Sequence, residues 1–224
     1  MNIAVNVPTG RHAAGTIVGI LLALVPINVV VAIRADAWLS HHTGIPSALC
    51  MVILEWILIA VVLGYVAIVE RRPLGSIGFR RPGWKTPLYA LIAAVVMTVG
   101  ISILVTAVFP LLHLSFNAAA NAKLVALPFW QRVLLVLTAA IGEEVLFRGY
   151  PIERIHELTG NRWFAGVVSC AAFTYAHLGY WGWTQLIVAG FGGVVLTLLY
   201  IWQRNLPCNM FAHFLTDGAG LLLR

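Results

Sequence analysis

Seven apolar runs divide the chain, near 14–33, 45–69, 86–112, 128–150, 162–178, 184–203 and 206–222, with short polar segments between them. Most are close to the ~20 residues that carry a helix across a bilayer. None shows the alternation of a barrel strand, so each backbone has to satisfy its hydrogen bonds internally, as a helix. The pattern predicts an all-α, polytopic transmembrane helical bundle of about seven spans. Its first run starts at Ala14 and, at about 20 residues, exceeds the ~7–15 of a signal-peptide core; it reads as an uncleaved span.

Composition agrees with this reading. Of 224 residues, 61% are hydrophobic and only 10% charged, against about 25% charged in soluble domains; mean hydropathy is +0.92. The net charge of +6 would suggest nucleic acid in a soluble protein, but here the basic residues fall mainly between spans, so the expected partner is the lipid bilayer and not nucleic acid. With the amino terminus in the cytoplasm, Arg11, Arg71, Arg72, Arg80, Arg81, Lys85, Arg148, Arg154, Arg162 and Arg204 lie inside and Arg34, Lys123, Arg132 and Arg224 outside. That distribution follows the positive-inside rule. Cys50, Cys170 and Cys208 show no CxxC spacing and read as small buried hydrophobes. Without a repeat or a long linker, the chain reads as one integral domain, with N-terminal transmembrane helices over 1–127 and a helical core over 128–224.

Against this background three segments stand out. EEVLFR places Glu143 and Glu144 side by side in an apolar run, with Arg148 one turn on; FTYAH ends at His177; HFLTD carries His213 and Asp217. A charged carboxylate in hydrocarbon costs roughly 2.5 kcal/mol or more even on lenient scales, so two in succession mark an intramembrane site. Pro128 suits the first turn of the fourth helix, and helical character can continue to Leu158, before the turn signal Thr159, Gly160, Asn161. Pro151 should disturb that helix, because it offers no N–H to the carbonyl of Phe147. A new helix then runs from Arg162 to His177.

Counting along this hairpin brings the motifs to one level. Glu143 lies 17 residues before Gly160 and His177 lies 17 after it, so at 1.5 Å per residue both are about 25 Å from the turn. The polar stretch with Glu153, Arg154, His156 and Glu157 projects into the cytoplasm, which leaves the acid and the histidine about 15 Å deep. His213, eight residues beyond Asn205, reaches about 12 Å by the same rise. Residues four apart share a helix face, so Glu144 can meet Arg148, and His213 can align with Asp217. Glu143 points about 100° away from Glu144. It is the better candidate for a general base facing a cavity, although the two acids could exchange roles.

In EExxxR, FxxxH and HxxxD, over residues 131–220, the chain resembles the CPBP intramembrane proteases, which include the type II CAAX prenyl endopeptidases and bacterial relatives linked to bacteriocin processing or self-immunity. Outside that region only LGSIGFRRP is similar. The resemblance implies an intramembrane endopeptidase acting on a membrane-associated peptide or protein, from a membrane-embedded catalytic cavity open to the cytoplasm, in a bacterial cell membrane. Glu143 and His177 would hold the attacking water, and His213 and Asp217 would take the place of an oxyanion-stabilising histidine and asparagine. An ionised Asp217 cannot donate a hydrogen bond, so it either carries a proton or orients His213; the orienting role is the expectation.

This chemistry needs no cofactor. A Zn²⁺ enzyme using Glu143, His177, His213 and Asp217 as ligands is the chemical alternative, although no HExxH is present. A membrane immunity or binding protein with no catalysis is the functional alternative. Transport fits less well, because no broken-helix pair recurs in two matching halves. Glu55 is an intramembrane carboxylate with no partner readable from the sequence, and no catalytic role is assigned to it. Small residues in AGFGG, from Ala189 to Gly193, suit close helix packing. His12, His41, His42, His113 and His156 read as polar groups at span ends or in loops.

Overall fold

The structure, a computed structural model, describes residues 10–223, with side chains described from Ala13 onward. Arg11, His12 and Arg224 therefore contribute no side-chain observation. The described residues form helices and no strand.

The chain begins with α1 (Gly10–Ala32), the short α2 (Ala35–Thr43) and α3 (Ser47–Gly64). A 3-10 turn over Leu74–Ile77 leads to α4 (Thr86–Ile103), followed by the brief α5 (Phe109–Leu111) and α6 (Ala118–Val125). The second half consists of α7 (Phe129–Glu143), α8 (Tyr150–Thr159), α9 (Arg162–Ala176), α10 (Leu178–Trp181), α11 (Gln185–Gln203) and α12 (Leu206–Leu221). Asn161 and Asn205 start α9 and α12 by accepting hydrogen bonds from the backbone N–H groups of Phe164 and Cys208 through their side chains. Gly160, at φ 70°, ends α8 in the left-handed conformation, so the Thr159–Asn161 turn forms where expected.

Helices occupy all seven predicted places, but a count of about seven spans is not confirmed. Four segments are long and apolar enough to cross a membrane: Ala13–Ala32, Ser47–Val69, Thr86–Leu111 and Gln185–Gln203. A fifth arises if α6 and the continuous Phe129–Thr159 helix, bent by 117° relative to each other, act as one span. The difference has a physical origin in the motifs. Helices α9 and α12 extend for 15 and 16 residues, short of the ~20 a span needs.

The N-terminal helices pack directly on the later ones: α4 against α12, α3 against α7, and α1 against α8 and α9. Large apolar side chains such as Leu21, Ile57 and Val95 remain exposed on α1, α3 and α4, as a lipid-facing surface requires. Residues expected on the inner side meet in one ion-pair cluster. Arg72 holds Glu157 bidentately at 2.7 and 2.8 Å, Arg154 joins Glu70 to Glu157, and Arg204 pairs with Glu153. The LGSIGF loop closes against this cluster, with Arg154 bonded to Ser76, Tyr200 Oη donating to the Ile77 carbonyl at 3.2 Å, and the Leu206 N–H donating to Gly78 O at 2.8 Å.

Candidate active site

The disturbance expected at Pro151 takes the form of a π-turn. From Glu144 to Gly149 the backbone widens, and the Tyr150 N–H bonds to Val145 O instead of to the carbonyl four residues back. Single π-turns inserted in α-helices are enriched at functional sites, and this one spans EEVLFR after its first acid. Ser169 Oγ, from α9, donates to the carbonyl of Phe147 that Pro151 cannot serve.

Both acids turn toward α12, with different surroundings. Glu144 is fully buried: Arg148 Nη1 donates to its Oε1 at 3.0 Å, His213 Nδ1 lies 2.9 Å from the same oxygen, and Asn209 Nδ2 donates to Oε2 at 3.1 Å. The Glu143 side chain is 21% exposed, and its Oε2 lies 3.8 Å from His213 Nε2. That nitrogen also faces Asp217 Oδ2 at 3.4 Å. Because a carboxylate only accepts, Nδ1 of His213 carries a hydrogen toward Glu144. The side-chain exposure of Asp217, 36%, shows that the open edge of the cluster lies beside Glu143 and Asp217.

FTYAH joins this cluster through Phe173. The guanidinium of Arg148 sits 3.8 Å from the Phe173 ring centroid, and the His177 ring packs at a tilt against the same ring, centroids 4.7 Å apart. His177 follows the end of α9 at Ala176, and its Nδ1 lies 2.9 Å from Phe173 O. A carbonyl can only accept, so Nδ1 carries a hydrogen, and in the neutral ring the lone pair is then on Nε2. No hydrogen bond or ion pair joins His177 to Glu143. Thus EEVLFR and HFLTD meet directly, whereas FTYAH is held to them through Arg148 and Phe173.

Two residues enter the site without having been expected there. Asn209 precedes His213 by one helical turn, and Asn209, His213 and Asp217 form one face of α12; the four-residue spacing was visible in the sequence. Glu55 reaches the same place from α3. Its Oε1 packs on Gly142 so closely that a Cβ there would lie 2.3 Å from it. No three His, Cys, Asp or Glu side chains among the described residues are arranged to hold a metal ion. An apolar groove of about 370 Å³ runs between α7 and α12, past Ile141, Met210 and Phe214. A second, of about 440 Å³, lies between α1 and α9, away from Glu143.

A family model described as Rce1-like, type II CAAX prenyl endopeptidase Rce1-like, matches residues 125–219. No curated protein and no solved structure matches the chain. The matched stretch contains all three motifs, the π-turn and the cluster around His213. The match covers less than half of the chain; over residues 125–219 this integral membrane protein is similar to the Rce1-like type II CAAX prenyl endopeptidases, in agreement with the CPBP resemblance of its three motifs.

Proposed function

We propose that the protein is an intramembrane endopeptidase that hydrolyses a peptide bond of a membrane-associated peptide or protein, with Glu143 as the general base. The observation that carries this reading is the contrast between two adjacent acids. Glu144 is fully buried and committed to Arg148, His213 and Asn209, while Glu143 stays 21% exposed at the open edge. Only Glu143 is free to exchange a proton with water.

In this mechanism Glu143 takes a proton from water as the water oxygen bonds to the scissile carbonyl carbon, whose π electrons move onto oxygen. His177 Nε2, left as an acceptor by the contact of Nδ1 with Phe173 O, holds the second water hydrogen. His213 supplies an Nε2–H donor to the oxyanion. Collapse of the tetrahedral intermediate restores the carbonyl, breaks the C–N bond and returns the proton from Glu143 to the leaving amine. Glu144, on Nδ1 at 2.9 Å, fills the task of orienting His213; Asp217 steadies Nε2 until the substrate arrives. The groove between α7 and α12 offers the substrate an apolar surface on the two helices that carry Glu143 and His213.

The same reading has the site work without a metal and open toward the cytoplasmic face of a bacterial membrane. Supporting the first point, Glu143 stands beside His213 at the open edge as a carboxylate able to activate water by itself. For the second, Arg72, Arg154 and Arg204 gather at one end of the bundle. Purified protein in detergent, assayed on a membrane-associated peptide, tests the proposal: Glu143→Gln should abolish cleavage, and full activity in that variant rejects the base assignment. Elemental analysis of active protein, with a chelator arm, tests the metal-free chemistry.

A further inference from the structure

Glu55 lies in an apolar span and is 6% exposed. Its Oε1 is buried without a hydrogen-bond partner, and among the described residues no cation lies within 4.0 Å of its carboxyl group. The ionisable groups that act on it electrostatically are Glu143 of α7 and His213 of α12. Its seat is built for close approach. A Cβ at position 142 would meet Glu55 Oε1 at 2.3 Å and Ile59 Cδ1 at 2.9 Å, so the carboxyl occupies the space that any larger residue would take there. One residue along α3, Trp56 Nε1 donates to Thr138 Oγ1 at 3.1 Å, which fixes the register of α3 against α7 one turn before Gly142.

Charge bookkeeping decides which form of Glu55 this seat holds. Glu143, Glu144 and Asp217 already face two cationic groups at most, Arg148 and His213. A further ionised carboxylate, buried and unpaired in a span, would cost several kcal/mol. A neutral acid avoids that cost and brings an O–H donor to a place where only carboxylates surround the histidine.

We propose that Glu55 is a proton-bearing positioning residue for Glu143: a neutral carboxyl, seated on Gly142, whose O–H dipole steadies the ionised base from behind while the open edge stays free for water and substrate. This rests on Glu143 being the base. Glu55 exchanges no proton with the substrate, and its own proton is present before and after turnover. Glutamine reproduces the neutral donor and the shape, and leucine reproduces the approximate volume without the donor.

Infrared difference spectra and kinetics on full-length protein in detergent test this. The wild-type minus Glu55→Gln spectrum should show the C=O stretch of a protonated carboxylic acid near neutral pH, shifting down in D₂O. In kinetics, Glu55→Leu should lower kcat about tenfold or more with little change in KM, and Glu55→Gln should recover most of that loss. The absence of the protonated-acid band, or a full kcat in Glu55→Leu, overturns the proposal. Should Glu55→Leu fail to fold, the band and the kcat of Glu55→Gln decide alone, a kcat as low as that of Glu143→Gln counting against a neutral role. Activity in Glu143→Gln would remove the base assignment itself, an outcome distinguishable because the band reads the proton on Glu55 independently of turnover.

Discussion

Ser169 donates its hydroxyl to the main-chain carbonyl of Phe147, the group that Pro151 leaves without its helical partner. This bond ties α9 to the π-turn that presents Glu144 and Arg148, so one proline and one serine on neighbouring helices set the shape of the site. Ser169 is fully buried. Replacing it with alanine strands the carbonyl in an apolar interior, a loss of about 1–3 kcal/mol. The expected result for Ser169→Ala is a lower melting temperature in detergent together with reduced cleavage, since the turn and the base move together. An unchanged melting temperature would show that another group serves Phe147.

The two adjacent acids should separate cleanly in stability and activity. Arg148 and Glu144 form a fully buried pair at 3.0 Å, with the Arg148 guanidinium also over the Phe173 ring. Removing Glu144 leaves the buried Arg148 without an ionic partner, at a cost of about 3–5 kcal/mol, and removing Arg148 leaves Glu144 with His213 and Asn209 alone. Glu144→Gln and Arg148→Met are therefore expected to unfold at markedly lower temperature. Glu143→Gln, whose nearest ionic contact is 3.8 Å long and partly exposed, should change stability by less than about 1 kcal/mol while losing activity. Parallel melting curves and cleavage assays on the three proteins check this ordering.

A third expectation concerns pH at the opposite end of the bundle. Burial pushes the Asp36 carboxyl up, but hydrogen bonds from Arg34 and Ser47, with the charge of Arg34, outweigh it and hold the group below its ordinary 3.8. A depressed carboxyl stabilises the fold above its unfolded value, and that contribution disappears as pH falls through the folded value. Half-exposed Arg34 keeps the ion-pair part small, on the order of 0.2–1 kcal/mol. Asp36→Asn should be less stable than wild type near neutrality, and the gap should close as the pH falls below 3.8. Melting temperatures across that range measure the gap; one that widened on acidification would contradict the assignment.

How far the sequence reached depended on whether a feature was local. The Glu144–Arg148 pair, the Gly160 turn and the alignment of His213 with Asp217 follow from four-residue spacing and turn chemistry, and all three are present. The deficit at Phe147 was predictable from Pro151; the π-turn and Ser169 were not, because they depend on which neighbour packs there. The seven apolar runs all become helices, but seven spans are not confirmed, because hydropathy does not reveal how long each helix is and only four or five segments are long and apolar enough to cross a membrane. Glu55 had no legible partner because its neighbour is Gly142, a residue recognisable only by the side chain it makes room for.

Asn209 supplies the sharpest remaining test of how the cluster is held. Its Nδ2 donates both to Glu144 Oε2 at 3.1 Å and to the Leu196 carbonyl at 2.7 Å, so it links α12 to α11 and to the π-turn at a fully buried point. Leucine matches its shape but leaves Glu144 Oε2 without its donor, at a cost of about 1–3 kcal/mol or more for a charged oxygen, while the Leu196 carbonyl, inside α11, keeps its place in the helix. Aspartate retains the shape and replaces the donor with a second buried carboxyl facing Glu144, which repulsion penalises further. Stability should therefore fall in the order wild type, Asn209→Leu, Asn209→Asp. Glu144 would then be held only by Arg148 and His213, and its grip on His213 Nδ1 would loosen. The kinetic consequence is a lower kcat with a smaller change in KM, because substrate contacts remain while the oxyanion donor loses its orientation. Thermal melting combined with steady-state kinetics on both variants checks the argument, and an Asn209→Asp protein as stable and active as wild type would refute it.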